Sequence, residues 1–194
     1  VGTMRQWADA GEIVNLAGLV DTSDINPALV PIGEHAGGLY GLFIFPNVKS
    51  LVWYSPKQFA AMGYTVPTTW AELDALSAQI VADGGVPWSI GLESGAASGW
   101  PGTDWIEDIL LRTAGAAVYD QWVNHEIAWT DPRVREAFQI LGDLFEDDYV
   151  LGGRVGALTT NFGDAIDPVF LSPPAAYMHK QATFIQGFIT CLLY

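Results

Sequence analysis

The sequence predicts an α/β domain, with helices and strands layered around an apolar core. Three observations carry this. Helical and strand-length patterns alternate along the chain, which favours a layered α/β arrangement. Half of the 194 residues are apolar and only 15% are charged, which supports a well-packed core. The 21 Gly and 11 Pro point to many turns, unlike a helical bundle.

The elements follow in order. MRQWADAGEIVNLAGLV has helical spacing and runs into a polar break at Asp21 to Asn26. LYGLFIFP, Leu39 to Pro46, is an apolar run of strand length, and KSLVWY, Lys49 to Tyr54, is a second strand rich in β-formers. The Asn47-Val48 link between them suits a crossover between two lobes. Ser55 caps a helix, with Pro56 at its first position, Gln58 completing a capping box and Gly63 ending it. Thr69 and Glu72 form another capping box, followed by Leu73, Leu76 and Ile80 at helical spacing and by Gly84-Gly85.

VPWSIGL, Val86 to Leu92, reads as a buried strand. A helix then starts near Thr103, with Ile106, Ile109, Leu110 and Thr113 on one face and Gly115 as its stop. Asp131-Pro132 opens a long amphipathic helix that turns Val134, Phe138, Leu141 and Phe145 inward. LGGRVGALTTNFGDAIDPVFLSPP has no clear period and reads as an extended loop. AAYMH, Ala175 to His179, is a short strand, and KQATFIQGFI begins a helix.

Composition removes several functions. A net charge of −14 with 8 Lys plus Arg argues against nucleic acid, which demands a basic footprint, and against anionic membranes and phosphorylated ligands. The single cysteine, Cys191, excludes an intramolecular disulfide and a cysteine-based metal cage. His35, His125 and His179 form no HxH or HExxH pattern and read as packing or surface residues. Neither a GxSxG elbow nor a phosphate-binding loop is present. The acidic run Glu146 to Asp148 lacks the spaced oxygens of a calcium loop and reads as a solvated helix end. No metal or cofactor is expected. No signal segment or 18-residue apolar run is visible, and VGTMRQW and GFITCLLY both read as points where a longer chain has been cut.

The densest chemistry lies in ESGAASGWPGTDWIED, Glu93 to Asp108. A Gly- and Ser-rich loop delivers Trp100 and Trp105 beside Glu93, Asp104, Glu107 and Asp108. Aromatic faces next to carboxylates suit a neutral, polyhydroxylated ligand: the C–H face of a sugar stacks on the ring, and its hydroxyls donate to the carboxylates. The alternative is that both tryptophans serve the core. NFGD, Asn161 to Asp164, either adds polar groups to a ligand or makes a tight turn. A glycoside hydrolase needs two carboxylates across the scissile bond, a role open to Glu93 with Asp104 or Asp164. A third reading is an acidic protein-interaction domain.

Several segments, taken in order, resemble a known family. YGLFIFPNVKSLVWYSPKQFAAMGY is similar to a hinge strand followed by an "LVYYN-K-LF--AG" helix. VPTTWAELDALSAQI is similar to a "P-TWDEL---A--L" segment. GVPWSIGLESG, the helix after GWPGTDW, and AAYMHKQATFIQGF are similar to a later strand, helix and "G-AAM---G-W" element. From Met4 to Phe188 the chain resembles the extracellular solute-binding proteins of carbohydrate ABC importers, the group with maltodextrin- and α-glucoside-binding members, and GWPGTDWIED resembles the α-glucoside branch.

The resemblance implies a type II periplasmic-binding-protein-like α/β fold, mainly one lobe with a partial hinge and an incomplete second lobe. Residues 1–46 would be the end of lobe one and the hinge strand, 47–188 would form lobe two and a wall of the sugar cleft, and 189–194 would be a truncated apolar tail. The implied protein is not an enzyme. It binds an oligosaccharide or glucoside in a cleft that closes by hinge bending and docks on the membrane subunits of an ABC permease. It implies a periplasmic or extracellular location, with or without a lipid tether. Glu93 and its loop would contact sugar, Phe184 would take the place of a stacking Trp, and Asn47 would lie near the cleft floor. Trp100, Asp104 and Trp105 would belong to the branch-specific loop. The chain departs from the family in length, in lacking the first part of lobe one, and in Ala182-Thr183-Phe184 where Gly-Ser/Pro-Trp is usual. With the opposite lobe missing, exposed apolar surface predicts self-association.

Overall fold

The computed structural model describes residues 2–43 and 45–189. It divides into two compact units, 1–47 and 48–194.

In the first unit, α1 (Gly2–Asp9) is followed by turns rather than by more helix. The helical spacing expected to run on toward Val20 breaks at Gly11, whose φ of +70° lies in the left-handed region. Strands β1 (Glu34–His35) and β2 (Gly38–Leu39) form a two-residue antiparallel ladder. Asn15 ties the turns to it, because its side chain accepts from the Leu39 amide at 3.0 Å. Gly33 is required here, since a Cβ at that position would collide with the Gly41 carbonyl. The expected strand over 39–46 is therefore a correction: β2 ends at Leu39, residues 40–43 carry no strand, and Ile44 lies outside the described residues.

The second unit holds the main core. β3 (Leu51–Tyr54) and β4 (Met178–Gln181) pair antiparallel, with Leu51 opposite Gln181 and Tyr54 opposite Met178. β4 begins three residues later than AAYMH suggested. Beside it, the segment from Val86 to Leu92 is buried and extended but bridged only at isolated points. The Trp88 amide donates to the Tyr149 carbonyl, and the Ser89 amide donates to the Met178 carbonyl.

α2 (Pro56–Met62) and α3 (Trp70–Ala82) are capped by Ser55 and Thr69. The Thr69–Glu72 capping box is complete in both directions. At Ser55 only half of one forms, because the Gln58 amide group donates to the Leu171 carbonyl. Leu73, Leu76 and Ile80 face inward as the 3.6-residue period requires.

α4 (Trp100–Ala114) and α5 (Ala116–Val123) flank the Gly115 break, and α6 (Pro132–Leu144) packs on α4. Val134 is buried on α6, but Phe138 is 47% exposed, against expectation. It lies instead on a surface aromatic row with Trp129, 6.3 Å away.

The stretch read as an extended loop contains α7 (Gly153–Thr159), a 3-10 turn at Asp164–Ile166 and α8 (Asp167–Phe170). Gly152, Gly153 and Gly156 hid α7 from a propensity reading. Residues 183–188 form a 3-10 turn. Of the apolar tail 189–194, including Cys191, all but Ile189 falls outside the described residues. Trp88, Ile80, Ile109, Leu110 and Met178 centre the core. Among the described residues, no helix is long and apolar enough to cross a membrane.

Candidate functional site

The expected tryptophan loop is shorter and tighter than its Gly and Ser content suggests. Residues 94–99 form a stapled turn: the Ser94 amide donates to Ser98 Oγ at 2.9 Å, and Ser98 Oγ donates to the Gly95 carbonyl at 2.8 Å. Gly99, at φ +98°, then caps α4. Trp100 and Trp105 thus stand on the first turns of a helix, held at fixed angles by its backbone.

Glu93 sits where the buried segment meets residues 160–162. Its amide donates to the Thr160 carbonyl at 3.1 Å, and its carbonyl accepts from the Phe162 amide at 3.0 Å. Gly91 permits this approach, since a Cβ there would lie 2.6 Å from the Asn161 carbonyl oxygen. The Glu93 carboxylate accepts from the Gly95 amide at Oε1 and from Asn161 Nδ2 at Oε2, 2.7 Å away. These donors, the Gly95 amide above all, hold its pKa below the ordinary value by favouring the charged form.

Trp100 nucleates an aromatic cluster. Phe162 lies 5.2 Å from it at 66°, and Phe184 lies 5.9 Å from it at 50°. Phe188 completes the group, 5.4 Å from Phe162. Trp100, Phe162 and Phe184 are half-buried, and Phe188 is exposed. Asn161 and Phe162 are chain neighbours, so one backbone step joins the Glu93 carboxylate to the aromatic cluster.

Asp104 is ion-paired with Lys49, Oδ2 to Nζ at 2.6 Å. The same Lys49 Nζ stands 4.7 Å from the Trp100 ring centre. A second lysine repeats the pattern more deeply. Lys180 Nζ lies 4.5 Å from the Trp105 ring centre, 3.6 Å from Asp108 Oδ2, and donates to the Asp104 carbonyl at 3.3 Å. Burial pushes the Lys180 ammonium below its ordinary pKa, partly opposed by Asp108 and Asp104. Burial likewise raises the Glu107 carboxyl, with Asp104 adding to the effect.

The six expected site residues therefore divide. Trp100 and Phe184 share the aromatic cluster, Glu93 connects to it through Asn161 and its chain neighbour Phe162, and Asp104 joins it through Lys49. Trp105 does not. It is 3% exposed, meets Trp88 edge-on at 5.4 Å, and belongs to the core. Its place at the next turn of α4, facing Ile109 and Leu110, is the physical reason. Asn47 is exposed and ends the first unit. Sequence reading missed Lys49 and gave Phe162 no aromatic role of its own. Asn161 and Phe162 enter the sequence reading only within NFGD.

A cavity of about 550 Å³ opens elsewhere in the second unit, between α4, the β3–β4 ladder and the helices that follow β3. Of the expected site residues, only Trp105 lines it, beside Trp88, Asp108 and Lys180. Among the described residues, no three His, Cys, Asp or Glu side chains group so as to hold a metal ion. The carboxylate pairs weighed for a hydrolase are occupied differently: Glu93 holds the turn and Asn161, Asp104 holds Lys49, and Asp164 is exposed at the start of a 3-10 turn.

Comparison with known proteins gives a consistent result. The sequence pattern of the family described as bacterial extracellular solute-binding protein matches residues 1–176. The osmoprotective compounds-binding protein GgtB of Synechocystis sp. is 44% identical over 193 residues, covering 97% of this chain and 46% of the relative. The alpha-glucosides-binding periplasmic protein AglE of Rhizobium meliloti is 44% identical over 176 residues, covering 88% of this chain and 38% of the relative. The chain thus spans less than half the length of the curated relatives it matches. Among solved structures, a chitin oligosaccharide binding protein superposes with a TM-score of 0.80 at 22% identity, covering 97% of this chain and 45% of that one. The bacterial solute receptor AcbH superposes with a TM-score of 0.74 at 24% identity, covering 97% of this chain and 47% of that one. The fold is that of type II periplasmic binding proteins.

Proposed function

This chain belongs to the bacterial extracellular solute-binding protein family, and we propose that it supplies one wall of a sugar-binding cleft in the substrate-binding component of an ABC importer. The observation that carries this reading is the joining of the Trp100–Phe162–Phe184 aromatic cluster to the Glu93–Asn161 pair through one backbone step. Aromatic rings offer the apolar face that a pyranose needs, and the carboxylate and amide offer the edge contacts. The likeness to AglE favours an α-glucoside as the ligand class.

On this reading residues 47–188 belong to one lobe, residues 1–46 to the end of the other with its hinge strand, and Asn47 lies near the cleft floor. Binding occurs without catalysis. The complete protein works outside the cytoplasm and hands its sugar to a membrane permease. The opposing contacts come from the other lobe, so this chain alone holds sugar weakly, at millimolar dissociation constants or above, about −4 kcal/mol. Calorimetric titration with maltose, trehalose and sucrose tests the reading, alongside a product assay. Saturable heat for at least one glucoside with no hydrolysis supports it. Product formation, or micromolar binding by this chain alone, contradicts it.

A further inference from the structure

We propose that Lys49 caps the Trp100 ring face and must swing away before sugar stacks there, so that Lys49 acts as a tethered competitor of the ligand; this rests on the sugar-binding reading above. The geometry has three parts. Lys49 Nζ stands 4.7 Å from the Trp100 ring centre. Carbon atoms in contact are about 3.5–4.0 Å apart, so a pyranose laid on that face needs the same space as the ammonium. Phe162 and Phe184 already pack against the indole at 5.2 and 5.9 Å, within a cluster of rings that support one another. The occupant most readily moved is therefore the lysine, whose side chain is 49% exposed.

The cap is also held lightly enough to exchange. Lys49 gains from Asp104 at 2.6 Å and from the indole face. Exposed pairs of both kinds are weak, because water and salt screen them. Release has a second consequence. Asp104 Oδ2 loses its ammonium partner, and that oxygen becomes available to accept from a sugar hydroxyl. The stacking face and the polar acceptor are thus uncovered in one movement. Lys180 offers the contrast: it makes the same cation–aromatic contact on Trp105, but its side chain is only 5% exposed and cannot leave without opening the core.

The test is an NMR titration of the chain with maltose, following the Trp100 indole signal in the parent, K49A, K49R and W100A, with circular dichroism to check folding. The cap predicts that K49A binds maltose about fivefold tighter than the parent and that K49R stays close to the parent. It also predicts that adding salt tightens binding in the parent but not in K49A, since maltose is uncharged. A K49A affinity equal to or weaker than the parent's overturns the cap. In the ligand-free parent, the Lys49 methylene protons should be shifted by the indole ring current, and the shift should vanish in W100A. Unshifted Lys49 protons overturn the cap without any sugar. If neither parent nor K49A binds maltose while the ring-current shift is present, the sugar reading fails and Lys49 is only a structural contact.

Discussion

The side-chain amide of Asn161 donates to Glu93 Oε2 across 2.7 Å, joining positions 68 residues apart in the chain. Together with the Gly95 amide on Oε1, this bond holds the carboxylate at both oxygens. Glu93→Gln replaces one acceptor oxygen with a donor and sets it against the Asn161 amide or the Gly95 amide. The expected result is maltose binding weakened about tenfold with the fold intact. Calorimetry on the variant checks this. Unchanged affinity would reduce Glu93 to a turn-holding residue.

The same carboxylate predicts a pH effect. Its folded pKa lies below the ordinary 4.5. Its contribution to stability is therefore present above that value and is lost as pH falls through the lowered one. Thermal melts across this acid range should show a smaller loss for Glu93→Gln than for the parent. Equal losses would mean that the Glu93 bonds form equally well in the unfolded chain.

His179 sets an earlier acid limit. It is 2% exposed, and burial drives its pKa from 6.5 down to about 4, although a bond to the Ser89 carbonyl at 2.8 Å favours the protonated form. The unfolded chain takes up this proton first, so stability is full above 6.5 and falls as pH drops toward 4. The full interval corresponds to about 3 kcal/mol as an order of magnitude. Denaturant midpoints between neutral pH and pH 5 should decline in the parent and decline less in His179→Gln, whose amide can still donate to Ser89. A parent midpoint that stays level over this interval would contradict the burial of a neutral imidazole.

Trp100 and Trp105 should separate by phenotype. Trp100→Ala removes a half-buried ring from the aromatic cluster and should cost about 2 kcal/mol of sugar affinity, about thirtyfold. Trp105→Ala opens a void against Trp88 and Lys180 and should cost about 3–5 kcal/mol of stability. Paired urea melts and maltose titrations distinguish the two. A stability loss confined to Trp100→Ala would reverse the assignment.

That contrast also marks how far the sequence could be read. The Thr69–Glu72 cap and the Leu73, Leu76 and Ile80 stripe are local signals, and both appear as read. The placement of Trp100 in α4 was also signalled, because Pro101 fits a first helical turn and Gly99 suits the left-handed cap before it. The Gly-rich run before them masked this. α7 stayed hidden because Gly153 and Gly156 lower helix propensity, and tertiary packing overrode it. Lys49 over Trp100 and Asn161 on Glu93 depend on contacts between distant segments. No spacing rule in the chain encodes such contacts.

Exposed apolar side chains predict self-association. Among the described residues β3 pairs only with β4, and Leu51 and Val52 on β3 are 36% and 41% exposed. Phe45 is 87% exposed. Strand edges and apolar patches of this kind pair with other chains, while the charge of −14 opposes contact until salt screens it. Light scattering should report a dimer or larger species that strengthens with salt. A 21.0 kDa monomer at low and high salt would refute this.

The most direct test of the central claim is a residue-resolved NMR titration of the chain with maltose. On the proposed reading the aromatic cluster and its neighbouring carboxylate–amide pair form the sugar wall, so the Trp100 indole, the Asn161 side-chain amide and the backbone amides of Glu93 and Phe184 should shift together along one millimolar binding curve. The account is contradicted if these signals stay still while residues around the Trp88–Trp105 cavity move, or if no signal responds to maltose, trehalose or sucrose.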